Sequence, residues 1–485
     1  MLLPRSFLRG VMSQSGFRDE CGLMAVWNHP EAANLTYLGL YSQQHRGQEA
    51  AGVVSNDRTA SAPLRAHRGL GLVADIFQGF NFGELPGGNA IGHVRYTTAG
   101  GNHLFNVQPF TADLAQGAIA VAHNGNLVNA AQLRQKLVSQ GSIFSSSSDT
   151  EVFLHLIARG DQESSLMSRV LSALVQAQGA FSLLIMTRDS LFAARDPFGL
   201  RPLALGRLGD TILLASETCA FDLVGAEYER DIAPGEVIEI STDGTMQSHF
   251  PFAQVTPAPC IFEFVYFARP DSLVFGKTVY PIRKRMGEEL AEESPVPADL
   301  VIPVPDSGVA AALGYAHRSG IPFELGLIRN HYVGRTFIEP KQSIRDFGVK
   351  LKLNPSREIL AGKRVIVVDD SIVRGTTSKK LVQMIRRAGA SEVHMRISAP
   401  PTVSPCYYGI DTPTKDELIS ASLSVDQVRD FIGADSLAYL SVDGMYRAVG
   451  SATGSFCDAC FSGQYHAGTP QDFPLQHASL RVVID

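Results

Sequence analysis

The sequence predicts two α/β domains in series, a layered, β-rich first half and a second half wound on a parallel sheet. Three observations predict this. The 485 residues, 45% of them hydrophobic, suffice for about two to three cores. Up to about residue 250, short apolar runs are separated by Gly and Asn, the pattern of strands joined by turns. From residue 260 onward, apolar strands alternate with helical segments, the pattern of βα units.

In order along the chain, the leader MLLPRSFLRGVMSQSGFRDE shows neither helical nor strand period and stops at Cys21. GLMAVW then reads as a strand and LTYLGLYSQQHRGQEAAG as a helix. AIGHVRYTTAGG, AIAVAHNGNLVN, GAFSLLIMT, LFAARDPFGLRPLALG and TILLASE read as strands and turns, with clear helical spacing only near 129–139 and 149–159. A Pro-rich stretch at 251–259 reads as a linker. ADLVIPVPDSGVAAALGYAHRSG and GKRVIVVDDSIVRGTTSKKLVQMIRRAGA each run strand, turn, helix, and SEVHMRISAPP adds a strand. In such doubly wound sheets, ligands bind at the carboxyl ends of the strands.

A net charge of −6 gives no overall basic field for nucleic acid. No apolar run reaches the roughly 18 residues of a membrane span. Arg9 interrupts the leader's apolar stretch and no small-residue cleavage site follows, so the leader is not a signal peptide, and a cytoplasmic protein is expected. Met12 is a second candidate start. Six cysteines in this length do not make a disulfide scaffold and point to metal or catalytic use.

Asp369 and Asp370 close the run RVIVV, and Ser371 to Thr377 follow. Adjacent acids can accept hydrogen bonds from vicinal sugar hydroxyls, and loop amides with the Thr376 and Thr377 hydroxyls at a helix start suit a phosphate. The loop is not a Walker A motif, and its bland reading is an acidic turn with a helix cap. VIVVDDSIVRGTT resembles the phosphoribosyl pyrophosphate (PRPP) signature of type I phosphoribosyltransferases. The resemblance implies PRPP on Asp369, Asp370, Ser371, Arg374, Gly375, Thr376 and Thr377, with Asp306 and Ser307 of PVPDSG near the pyrophosphate. It also implies Mg2+ near Ser307, Asp369 and Asp370, since Mg2+ favours phosphate oxygens and a carboxylate or two. The basic stretch around 329–352, with Arg335, reads as a lid that shuts water out.

A cysteine that heads a chain has its own α-amine as base, with a pKa of about 7.7 to 8.0. Residues 1–20 are therefore expected to be a propeptide, cut at the Glu20–Cys21 bond by the cysteine itself. GHVRYTTAG, HNGN, SSSDTE and QHRGQE resemble segments of the class II (N-terminal nucleophile) glutamine amidotransferases. That resemblance implies an αββα Ntn domain, catalysis by Cys21 with an oxyanion site at Asn124 and Gly125, and glutamine binding by Arg46, Arg95, Thr98 and Asp149. Taken singly, HNGN could be a hairpin turn and SSSDTE a helix cap.

The two halves together resemble the glutamine PRPP amidotransferase family, which implies that ammonia from glutamine attacks PRPP to give 5-phosphoribosylamine, glutamate and diphosphate. The implied domains are 21–255 for the glutaminase and 256–468 for the phosphoribosyltransferase, with a tail at 469–485. Cys457 and Cys460 form a C-x-x-C, and with Cys260 and Cys406 make four thiols, which suit zinc or a 4Fe-4S cluster equally well on chemistry alone. The iron–sulfur branch of the family carries cysteines in contexts like these, implying a 4Fe-4S cluster on Cys260, Cys406, Cys457 and Cys460. The family further implies purine nucleotides as feedback inhibitors and a homotetramer. A hexosamine-phosphate synthase would lack VIVVDDSIVRGTT, and a PRPP-sensing regulator on DNA would need a basic segment that is absent here.

Overall fold

The computed structural model describes residues 21–96, 103–330 and 353–472. Thr98, Arg335, the leader and most of the expected lid lie outside the described residues. The chain divides into two compact units.

The first unit holds two antiparallel sheets. One has seven strands in the order β11-β9-β10-β1-β4-β2-β3, with β1 Gly22–Trp27, β2 Ala50–Asn56, β3 Leu64–Leu70, β4 Asn89–Arg95, β9 Ala204–Leu208, β10 Thr211–Ala215 and β11 Glu227–Asp231. The other has six in the order β13-β12-β8-β7-β6-β5, with β5 Phe110–Leu114, β6 Gly117–Leu127, β7 Gly179–Thr187, β8 Ser190–Arg195, β12 Val237–Ser241 and β13 Met246–His249. GLMAVW is apolar throughout because both of its faces are covered. Leu23, Ala25 and Trp27 pack between the sheets against Ala120, Ala122, Leu184 and Met186. Met24 and Val26 face the opposite way, toward the helix Ala32–Ser42. The far side of the six-stranded sheet carries the helices Ala130–Ser139, Glu151–Ala158 and Leu166–Gln176. The layers therefore run helix, sheet, sheet, helix, as the αββα expectation requires.

Local readings differ from the structure at several points. The helix expected to run through QHRGQEAAG ends at Ser42, and Ala50, Ala51 and Gly52 enter β2, because the second half of that run is needed as the strand between β4 and β3. The helix Leu166–Gln176 has no counterpart in the sequence reading, since its serines dilute the apolar stripe of Val170, Ala173 and Leu174. HNGN is no hairpin turn, for His123 to Asn126 lie inside β6, paired with β7.

The second unit holds four parallel strands in the order β16-β19-β20-β21: β16 Leu300–Pro303, β19 Arg364–Asp369, β20 Glu392–Ile397 and β21 Ser436–Tyr439. The helix Val309–Ser319 follows β16 and Thr376–Arg387 follows β19, giving the expected βα order. Val365, Val367, Leu381, Ile385, Val393 and Met395 fill its core. Two short antiparallel pairs complete the strands among the described residues, β14 Leu273–Val274 with β15 Lys277–Thr278 in the first unit and β17 Leu327–Arg329 with β18 Leu353–Pro355 in the second.

The boundary expected at 255/256 does not coincide with the division into compact units. Residues up to 285, together with 405–411 and the described residues from 446 on, cluster with the first unit. Packing explains this: Ala258, Cys406, Tyr408, Cys457, Ala459 and Ala467 share a core with Val128, Ala180 and Leu200.

Trp27, the only tryptophan of the chain, is fully buried between the sheets and donates its indole N–H to the Ser241 carbonyl at 2.9 Å. Trp27→Ala is expected to cost about 3–5 kcal/mol of stability, read from circular-dichroism denaturation. A loss below about 1 kcal/mol would mean that this inter-sheet contact does not hold the layers together.

Candidate functional site

Cys21 stands at the head of β1, the strand at the middle of its sheet, with β10 on one side and β4 on the other. Its thiol is buried and points to the Tyr96 carbonyl, 3.8 Å away. Burial pushes the Cys21 thiol up to about 11, with Asp149 adding to the rise and Arg95 and Arg46 opposing it. At pH 7, only about one thiol in ten thousand would ionise at such a pKa. To act as a nucleophile, this thiol would therefore need a base within reach.

Arg95 closes β4, and burial lowers its pKa against the pull of Cys21, Glu49 and Asp149. Asp149 precedes the helix Glu151–Ala158 and accepts the Leu127 N–H at 3.0 Å. Burial opposes its charge, yet His123, 3.7 Å away, and the Leu127 and Thr150 amides hold its carboxyl below the usual range. Its side chain keeps 12% exposure, so it can meet a cationic amine from outside. A cation and an anion thus flank the thiol, the arrangement that an amino acid's carboxylate and amine require.

On β6, Asn124 donates to Ser216 Oγ at 3.4 Å, and its Oδ1 is buried without a partner. Ser216 Oγ also accepts the Leu23 N–H at 3.0 Å, which ties Asn124 to the strand that Cys21 heads. With the amide rotated, Oδ1 would accept the Ser216 hydroxyl and Nδ2 would face a developing oxyanion. Gly125 is held at φ 142, where an added Cβ would come 2.1 Å from the Ala180 carbonyl oxygen, so no side chain fits there.

Arg46, expected at the glutamine site in a positioning role, has its guanidinium engaged by protein groups. Its Nε donates to the Cys21 carbonyl at 3.2 Å, and its Nη atoms bind Glu263 at 2.7 and 3.1 Å and also Glu217. All three side chains are fully buried. Burial works against the charge of Glu217, but His45 and Arg46 hold its carboxyl well below the ordinary range. The guanidinium is occupied beneath the nucleophile because the fold satisfies two buried carboxylates with it.

The four thiols expected to bind a cluster meet within the first unit. Cys260 and Cys457 sit on a parallel bridge, with Cys457 N–H on the Pro259 carbonyl at 2.9 Å and Ile261 N–H on the Cys457 carbonyl at 3.1 Å. Burial and the charges of Cys260, Cys406 and Cys457 all push the Cys460 thiol up. The Tyr408 N–H donates to Cys406 Sγ at 3.3 Å, and the buried Arg201 guanidinium opposes the rise at Cys260. Among the described residues, no group of three or more His, Cys, Asp or Glu side chains is set to hold a single metal ion. A 4Fe-4S cluster binds each thiolate to a different iron and so spreads them wider than one ion does. Three buried thiols and the half-buried Cys406, with a cation and apolar neighbours, fit that group. Cys219 lies apart, its thiol facing Ser42 and Glu217.

In the second unit, Asp369 ends β19 and both it and Asp370 are buried. Burial and the neighbouring Asp370 push the Asp369 carboxyl well above its usual range. Such a pair gains from a cation or from hydroxyl donors. Gly375 adopts φ 71 at the start of the helix Thr376–Arg387, where a Cβ would meet Ile419 Cδ1 at 2.8 Å. Ser371 donates to Asp370, and Arg374 binds Glu417 at 2.8 Å. Asp306 and Ser307 occupy the turn between β16 and the helix Val309–Ser319, with Asp306 paired to Arg329. This is the same end of the sheet that carries Asp369, since β16 and β19 run parallel.

The sequence reading missed Glu217, Glu263, Arg201, His123 and Ser216. A signal existed for two of them, because a lone charge inside LLASETCAF and CIFEFVYF is costly unless paired.

Sheets, cysteine and flanking charges define a class II glutamine amidotransferase domain joined to a parallel-sheet domain. Residues 102–222 match the glutamine amidotransferase domain family. The chain is 55% identical to amidophosphoribosyltransferase 1, chloroplastic, of Arabidopsis thaliana, over 92% of this chain and 79% of that protein. It is 49% identical to the amidophosphoribosyltransferase of Bacillus subtilis, over 96% and 98% of the two chains. The chain belongs to the amidophosphoribosyltransferase family. The solved structure of the B. subtilis glutamine PRPP amidotransferase complexed with ADP and GMP superposes with a TM-score of 0.88 at 49% identity, covering 94% of this chain and 99% of that one. A structure described as the allosteric regulatory enzyme of purine biosynthesis gives 0.89 at 50%, covering 94% and 98%.

With Cys21 still acylated by a preceding residue, its labelling by iodoacetamide is expected to rise about tenfold per pH unit from about pH 7 to 10, read by peptide mass spectrometry. A plateau below about pH 9 would show that the thiol is not desolvated as described.

Proposed function

We propose that the chain catalyses the first step of de novo purine synthesis, in which glutamine, PRPP and water give 5-phosphoribosylamine, glutamate and diphosphate. The observation that supports this reading most is Cys21 between the charges of Arg95 and Asp149, in a chain whose other unit ends a parallel strand at Asp369, with Asp370 next.

Residues 1–20 are removed as a propeptide, and the freed α-amine of Cys21 takes the thiol proton. Sγ attacks the glutamine carboxamide while Arg95 binds the α-carboxylate and Asp149 the α-amine, with Thr98 beside them. The Asn124 side chain and the Gly125 N–H hold the tetrahedral oxyanion. The α-amine returns its proton to the departing ammonia, and water then hydrolyses the thioester to glutamate. In the second unit, Asp369 and Asp370 bind the ribose hydroxyls, and Ser371, Arg374, Gly375, Thr376 and Thr377 the 5-phosphate. Asp306, Ser307 and Arg335 lie toward the pyrophosphate. Ammonia attacks the ribose carbon as pyrophosphate leaves. Mg2+, near Ser307, Asp369 and Asp370, would neutralise pyrophosphate charge. Cys260, Cys406, Cys457 and Cys460 hold a 4Fe-4S cluster.

No helix among the described residues is long and apolar enough to cross a membrane. Six free thiols support a reducing, cytoplasmic setting. The complex of the B. subtilis enzyme with ADP and GMP supports control by purine nucleotides here, and a homotetramer is the assembly we infer from the family.

Cys21→Ala is expected to abolish glutamine use and to leave synthesis from ammonia within about twofold of wild type; loss of both would refute separate sites. Asp369→Asn is expected to weaken PRPP binding at least about tenfold and to spare glutamine hydrolysis. Unchanged PRPP affinity would sink the sugar-binding assignment.

A further inference from the structure

We propose that Glu263 is a positioning residue of the glutaminase site, and that with Arg201 it ties the backbone of Cys21 to the cluster-binding thiols. The proposal rests on the glutaminase reading above.

The path is continuous and buried. The Cys21 carbonyl accepts Arg46 Nε at 3.2 Å. Arg46 Nη2 and Nη1 bind Glu263 Oε1 and Oε2 at 2.7 and 3.1 Å. Arg201 Nη1 lies 3.7 Å from the same Oε1, and the charges of Cys260 and Cys406 act on that guanidinium. Arg46, Arg201, Glu217 and Glu263 are all at 1% exposure or less, and together they carry no net charge.

The two carboxylates on Arg46 do different things. Glu217 is fixed by His45, the Arg269 N–H and Ser272, at 2.7, 2.9 and 2.7 Å, independently of the thiols. Glu263 instead belongs to the turn that begins at Cys260, its N–H on the Cys260 carbonyl at 3.4 Å. Arg283 clamps that turn through the carbonyls of Phe264 and Ala268, each at 2.8 Å. A bidentate carboxylate sets the plane of a guanidinium and so the direction of its remaining N–H. Glu263 thereby aims Arg46 Nε at the residue whose backbone bears both the nucleophile and its base. Arg201 couples Glu263 to the thiols, as a cation that faces both.

Glu263→Gln removes the charge but keeps the shape. With the cluster loaded, the expected result is a fall of at least tenfold in kcat for glutamine, with KM within about threefold because Arg95 and Asp149 are untouched, and iron content equal to wild type. Synthesis from ammonia stays within about twofold. Glu263→Asp, which keeps the charge, is expected to be at least threefold more active than Glu263→Gln, and it serves if the amide variant does not fold. Arg201→Gln is expected to move the midpoint potential of the cluster to more negative values, because a neighbouring cation favours the more negatively charged reduced state. Wild-type glutamine kcat in Glu263→Gln at full iron content, or an unchanged potential in Arg201→Gln, would overturn the proposal. Glutamine use retained by Cys21→Ala would instead sink the glutaminase reading, and the proposal with it.

Discussion

The pairing of Arg46 with Glu217 and Glu263 beneath Cys21 is the constraint on which the first unit depends. Three fully buried charges persist only when they satisfy one another, and removing one partner of such a pair typically costs about 3–5 kcal/mol. The three residues come from distant parts of the chain: Arg46 after the first helix, Glu217 after β10 and Glu263 in the turn after Cys260. Their union requires the chain to return to the head of β1 twice. The Cys21 carbonyl is held where they meet.

The same burial sets the chemistry. A thiol at the head of a central strand is shielded from water, which suits a site that must keep ammonia from bulk solvent but raises the cost of the thiolate. Arg95 and Arg46 offset part of that cost and Asp149 adds to it, so the local charges do not make the thiolate by themselves. The α-amine proposed for Cys21 would supply a base without placing another titratable side chain in the core. Seven strands on one side and six on the other give the nucleophile a rigid seat.

The cysteines proposed to bind a cluster belong to this unit and not to the parallel sheet. Cys260, Cys406, Cys457 and Cys460 are strung over two hundred positions of sequence, yet Cys457 lies in one apolar core with Val128, Ala180 and Leu200, Cys406 packs against that core, and Cys260 bridges to Cys457. The Asn126 side chain donates to the Tyr407 carbonyl at 2.9 Å, and Gly409 approaches so closely that an added Cβ would lie 3.0 Å from Gly125 Cα. The strand that carries Asn124 and Gly125 thus rests on the segment that carries Cys406. Asp369 and Asp370 depend on none of this: β19 and its flanking helix build their site from consecutive residues.

The difference between what was legible in the sequence and what was not follows from that contrast. VIVVDDSIVRGTT was readable because strand, acids, loop and helix are contiguous, so local order alone sets their geometry. Cys21, Arg95, Asn124 and Asp149 were readable as short strings, and the alternation of Gly-separated apolar runs announced the layered sheets. The carboxylate partners of Arg46, the helix Leu166–Gln176 and the extent of the first unit were not readable. Each is decided by what a segment packs against once the chain has folded. A guanidinium in QHRGQE can face a substrate or a buried carboxylate, and local sequence is the same in both cases. Only the tertiary structure, by bringing Glu217 and Glu263 to it across more than 170 positions, decided that Arg46 holds the nucleophile's backbone. The sequence by itself determined which chemistry the chain carries, since that resides in side chains and their local order. Which charges stand behind that chemistry was decided by burial, because an ion pair in the core exists only when the fold has removed the water around it.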